Sequence, residues 1–318
     1  MPCLTRAIHA GFLLATAPVG VNLAAQSVTP RFAWPVGARA EVTTVGWRAS
    51  TGPTADSTAF RLTGALSVAA HPDGRQISTG PTRSVEGSMV AAIGGLNVEA
   101  MQAIVTRSVV SADGKFLRLD DTLALRRAVD SVAAPMLAQV ASLPPALREA
   151  MESAFSNATL AQGAEQAWMQ LAGAFLGRTW ALGDSLQRDI KQPMPGMPGT
   201  ELPVTFVYRY DGVTPCPPDR MRATCWRFAS RQRIAPEAMQ RMMLDMLRRA
   251  GLDEDAIAQV PLPTTQTETM GFLVVDAEGF LPLENGVALD SRTVTTGPDG
   301  TSMTATQKMS SVSTYRWR

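Results

Sequence analysis

The chain has 318 residues, with 29 basic and 28 acidic side chains and a formal charge of +1. A balance this even excludes nucleic acid as the main partner, because a phosphate backbone is met by a clear basic excess. Two histidines, His9 and His71, leave too few ligands for an ordinary zinc site, and nothing in the composition asks for a cofactor.

In chain order, residues 1–25 read as a secretory signal peptide. Arg6 charges the start, an apolar run extends from Gly11 to Val21, and Ala24 and Ala25 precede Gln26, which places cleavage after Ala25. The run is shorter than the roughly 20 residues a membrane span needs; an uncut N-terminal anchor is the alternative. No later segment is long and apolar enough to span. The mature protein is therefore expected in the periplasm or outside the cell. Cys3 and His9 leave with the signal, and so does Arg6, after which basic and acidic side chains balance. Cys216 and Cys225 remain, and in an oxidising compartment such a pair is expected to form a disulfide.

The stretch 26–121 reads as an N-terminal β region. Arg39 to Ser50 is rich in Val and Thr, Ser57 to Ala70 alternates in part, and the turn His71-Pro72-Asp73-Gly74 comes next. Another strand is expected from Val98 to Val110, with a hairpin at Asp113-Gly114 and a return over Lys115 to Leu119. From 122 to 177 the texture becomes helical. Leu125, Val129, Val132, Met136 and Val140 recur at helical spacing, with Asp120 or Asp121 as cap and Pro135 as a kink or break. Pro144-Pro145 separates a second stripe of Leu147, Met151 and Phe155, and Trp168, Leu171 and Phe175 form a third.

Residues 178–318 read as a C-terminal β region with a short helical insertion at about 235–259. Val204, Phe206, Tyr208 and Tyr210 fall on one face of a strand, and Trp226 and Phe228 on one face of the next. Pro236 to Ala250 is a helix stopped by Gly251, and the acids Asp253, Glu254 and Asp255 read as the cap of a helix start. Strands resume over Thr267 to Val275, Gly279 to Leu283, Val287 to Thr296 and Ser302 to Arg316. Their turns are expected at Glu278-Gly279, Asn285-Gly286 and Asp299-Gly300.

Two short strings recur. Trp34-Pro35-Val36-Gly37 opens the first strand region and Trp180-Ala181-Leu182-Gly183 the second. Each half later carries an acidic-Gly turn, at Asp113-Gly114 and Glu278-Gly279. Either the sheet is duplicated or the strings match by chance. The fold class expected is α+β: long antiparallel strands forming a curved sheet or half-barrel, with helices packed on the concave side. Whether the two strand regions form one sheet or two lobes is left open.

This layout resembles the lipoprotein-carrier type of periplasmic fold, in which a curved antiparallel sheet wraps around helices and shelters acyl chains. It is also similar to a group of uncharacterised secreted bacterial proteins with a Gly-x-x-Trp-x-x-Gly-Asp element, here Gly177, Trp180, Gly183 and Asp184. The first resemblance implies a binder of apolar molecules; the second implies no function.

Catalytic signals are weak. Gly183-Asp184-Ser185-Leu186 matches the nucleophile block of the GDSL esterases, but no histidine lies beyond His71 to serve as its base. Asp120-Asp121 and Asp253 to Asp255 read as helix starts rather than a glycosidase pair. Met194 and Met197 read as loop residues rather than copper ligands. The sequon at Asn157 falls in a helical stretch and carries no weight.

The function expected is a non-catalytic exported module that binds a lipid or other hydrophobic small molecule. Phe206, Tyr208, Trp226 and Phe228 are its candidate lining. The helix carrying Met239, Met242, Met243 and Met246 is either ordinary core or an adaptable cover. The alternative is a structural or protein-interaction module of the cell envelope, with a filled core and an envelope protein as partner. Arg220, Arg222, Arg227, Arg231, Arg233, Arg241, Arg248 and Arg249 crowd one region. They read as a solvated strand face, or as a contact for anionic headgroups.

Overall fold

The computed structural model describes residues 27–52, 55–88, 102–139, 152–153, 155–193, 200–217, 224–249, 251–296 and 301–318. The predicted signal peptide lies outside these residues. So do Val98 to Met101, Val140, Pro144-Pro145, Leu147, Met151, Met194, Met197, Arg220, Arg222 and the Asp299-Gly300 turn.

Twelve strands form one antiparallel sheet. They are β1 (Arg39–Thr51), β2 (Asp56–His71), β3 (Gly74–Thr79), β4 (Ser84–Gly87), β5 (Thr106–Val110), β6 (Phe116–Asp120), β7 (Ser185–Pro193), β8 (Glu201–Thr214), β9 (Cys225–Ile234), β10 (Thr264–Asp276), β11 (Pro282–Thr296) and β12 (Ser302–Trp317). Their spatial order is β6-β5-β3-β2-β1-β12-β11-β10-β9-β8-β7, with β4 beside the first half of β2. Four helices are described: α1 (Thr122–Gln139), α2 (Asn157–Trp168), α3 (Pro236–Arg249) and α4 (Glu254–Gln259), and a short π-helical turn (Met169–Gly173) continues α2. The fold is α+β, as the sequence indicates.

The strand regions join through one seam, β1 against β12, paired from Ala40↔Trp317 to Thr51↔Thr306. They are therefore one continuous sheet, not two lobes. Its edges, β6 and β7, lie ten strand steps apart, roughly 48 Å if the sheet were flat. Yet Trp168 Nε1 donates to the Gly114 carbonyl beside β6 (2.9 Å), and Gln166 Oε1 accepts from Gln192 on β7 (3.4 Å). Two side chains two residues apart on one helix reach both edges. The sheet must bend around α2, so the helix lies on its concave, core-bearing face.

Period-two alternation sets which side chains meet that core. In β8, Leu202, Val204, Phe206, Tyr208 and Tyr210 are all buried while their neighbours are more exposed. Phe175 fits among Tyr208, Phe228 and Phe280, with ring centroids 4.7–6.3 Å apart. Trp34 meets Trp168 and Trp317 at 5.4 and 5.6 Å.

The two Trp-x-x-Gly strings play the same part in each half. Gly37 and Gly183 both have left-handed φ, of 89° and 82°. The Gly37 amide donates to the Val68 carbonyl and Val68 returns a bond to Ala38; Gly183 donates to Tyr210, which returns one to Asp184. Trp34 and Trp180 are both fully buried. The recurrence is structural: each string delivers the chain into a strand already paired to the next.

Several local expectations need correction. Asn285-Gly286 is not a turn; it lies inside β11, opposite Ser313-Val312 and Leu273-Phe272. Glycine is needed there because the Phe272 ring lies over it, and an added Cβ would come within 2.2 Å of that ring. Pro135 does not break its helix, since α1 continues through it to Gln139. Of the two expected caps, Asp120 or Asp121, it is Asp121 that caps α1, as expected: its Oδ1 accepts from the Ala124 amide at 3.4 Å, while Asp120 accepts from Gln76.

Candidate ligand-binding site

Helix α2 begins at Ser156, whose hydroxyl accepts from the Thr159 amide (3.2 Å). Its small side chains decide the interior. Gly163, Ala164 and Ala167 face β3, β5 and α1, and they leave a cavity of about 420 Å³. Ile77, Ile104, Leu125, Val129, Leu160, Trp168 and Leu171 line it, with the hydroxyls of Thr79, Thr106, Ser108 and Thr159. No charged side chain among the described residues borders it.

A second cavity, about 260 Å³, lies on the other side of α2 against β7 and β8. Met169, Ile190, Phe206 and Tyr208 give it an apolar floor. Gln162, Gln166 and Gln170, spaced i, i+4, i+8, present one polar stripe of α2 and its continuation. Arg188 and Glu165 complete the lining. Arg188 stands opposite Phe206 in the β7–β8 register, on the concave face of the sheet. Burial pushes the Tyr208 phenol above its ordinary range, and the Arg188 charge opposes that shift.

Of the residues picked from the sequence, the structure brings Phe206 and Tyr208 into the second cavity. Phe228 is fully buried among Phe175, Trp180, Tyr210 and Phe280. Trp226 and Met239 pack against the same core, half-buried. Met242 and Met243 are half-buried on α3, and Met246 is exposed; none of these methionines lines either cavity. Sequence reasoning missed Arg188 and the glutamine stripe. The stripe was legible as an i, i+4, i+8 repeat; Arg188 was not, because β7 carries too little apolar alternation to show its inward face.

Cys216 and Cys225 are disulfide-bonded, with Cα atoms 5.3 Å apart, and join the ends of adjacent strands β8 and β9. Ser185 opens β7, paired to Arg209, and is exposed. His71 ends β2, and its Nδ1 accepts from the Asp73 amide (3.1 Å). On the convex face, Arg231 and Arg233 share Glu268, and Arg209 and Arg227 share Asp211. Arg248 pairs with Asp245 and Glu254 at the surface. The described part of the arginine cluster is thus largely a solvated, carboxylate-laced face. No helix among the described residues is long and apolar enough to cross a membrane.

No protein-family model matches the chain, and no curated protein matches it. Among solved structures it is similar to lipovitellin, in a structure described for its lipid–protein interactions, at 7% identity and a TM-score of 0.39. The match covers 89% of this chain and 26% of that one, so the chain spans about a quarter of that protein's length. A likeness so distant carries no residue-level or functional argument.

Proposed function

We propose that the protein is an exported, non-catalytic binder of an apolar or lipid-like molecule, seated in the cavities that flank α2. One observation carries the reading: a sheet bent around a helix of small residues keeps apolar-walled space on both sides of it, about 420 and 260 Å³. Such volumes border on or fall within the range of small-molecule sites. Phe206 and Tyr208 form the floor on one side, while Trp226, Phe228 and Met239 belong to the core. The signal-like N-terminus and the Cys216–Cys225 disulfide support export to an oxidising compartment.

Native mass spectrometry of the mature protein, followed by solvent extraction, tests this. An extra mass that extracts as lipid is the expected result. A clean apo mass that does not change after incubation with lipids sinks the reading.

A second reading is a structural or protein-interaction module of the cell envelope. The interlocked rings of Phe175, Phe228, Phe280 and Tyr210 favour it, because most of the interior is already full.

A further inference from the structure

The smaller cavity holds more polar character than an apolar ligand would use. Tyr208 is only 3% exposed, yet its hydroxyl bonds to no described residue. The hydroxyl itself is not sealed off: Tyr208 lines the cavity, and its O–H can donate to a ligand there. Arg188 borders the same space and has no carboxylate partner among the described residues. Beneath both lies the apolar floor of Ile190, Phe206 and Met169.

We propose that this cavity holds the anionic head, carboxylate or phosphate, of a single-chain amphiphile, with Arg188 as its charge partner and Tyr208 as a second donor. The inference rests on the apolar-ligand reading above. A guanidinium meets either oxyanion with two parallel N–H bonds. The volume, about 260 Å³, suits a head group with a short length of one chain. Burial keeps the Tyr208 phenol protonated at neutral pH, so it donates. Glu165, exposed at the same cavity, opposes an anion and sets the affinity below its maximum.

Calorimetric titration of the full mature chain with decanoate, decyl phosphate, decanol and inorganic phosphate tests the proposal. At least one anionic amphiphile is expected to bind roughly 10-fold or more tighter than decanol, since a charge-assisted bond contributes about 1.5–3 kcal/mol. Arg188→Gln should weaken that anion roughly 10- to 100-fold and leave decanol unchanged. Tyr208→Phe should weaken it less, and Glu165→Gln should tighten it. Arg188 is exposed, so its variant should keep the wild-type melting curve. Equal binding of decanoate, decyl phosphate and decanol, all insensitive to Arg188→Gln, overturns the head-group assignment and leaves the apolar-ligand reading standing. Inorganic phosphate binding as tightly as decyl phosphate overturns the amphiphile in favour of a free anion. No binding by any of the four overturns both readings.

Discussion

Gly286 shows how one residue can mislead. Asn-Gly is the strongest short hairpin signal, yet here the glycine supports an aromatic ring in mid-strand. The Phe272 ring covers Gly286 on the convex face, and the Arg227 guanidinium lies 4.6 Å from the ring centroid. Gly286→Ala is expected to destabilise by about 1–3 kcal/mol through overpacking. In a Phe272→Ala background the same change should cost almost nothing. A double-mutant cycle by urea unfolding checks the coupling; additive costs would show that the ring is not the reason for the glycine. Nothing local to residues 285–286 tells a turn from a ring seat, because both need a residue without Cβ. At Gly183 the local signal sufficed: its left-handed φ of 82° is what a turn glycine provides.

The strands carry their faces openly. β8 alternates without error, so its inward set was legible from Val204 to Tyr210. β7 was not, since Gln, Arg, Asp and Lys fall on both of its faces. Two expectations belong to these elements. Glu268 is held by Arg231 and Arg233, which pull its carboxyl from the ordinary 4.5 to about 2. A carboxylate depressed on folding stabilises above its unfolded pKa, and that stability is lost as pH falls from about 4.5 toward 2. The half-exposed side chains keep the contribution below about 1 kcal/mol. Glu268→Gln should therefore flatten the acid limb of a stability–pH curve; an unchanged limb would show that the arginines do not hold this carboxylate. The second concerns the β8–β9 bridge. Cys216 and Cys225, nine residues apart, close a short loop, and Cys216→Ala with Cys225→Ala should cost about 2–3 kcal/mol in chemical unfolding.

At the scale of the molecule, the halves clasp each other. Trp34, before the first meander, donates to the Phe280 carbonyl in the turn of the second. Trp168, before the second meander, donates to Gly114 in the turn of the first. The two rings also meet edge-on at 5.4 Å. Trp34→Phe and Trp168→Phe should be coupled by roughly 0.5–1.5 kcal/mol in a double-mutant cycle, the range for an aromatic pair beyond area burial. Unfolding should remain one transition in each variant, because the β1–β12 seam makes the halves one sheet. Separate transitions for the two halves would contradict that.

The sequence alone determined the antiparallel α+β class, the aromatic inner faces of β8 and β9, the cysteine pair and the matched Trp-x-x-Gly openings. These are local: they rest on period two, on helix spacing and on glycine's backbone freedom. Only the tertiary structure decided that the strand regions share one sheet and that the sheet bends around α2. It alone placed Arg188 beside Tyr208 under the glutamine stripe. The single sheet depends on pairing between residues more than 250 positions apart, as in Ala40 against Trp317. The local chain neither costs nor gains anything from such a pairing until the rest of the fold brings its ends together.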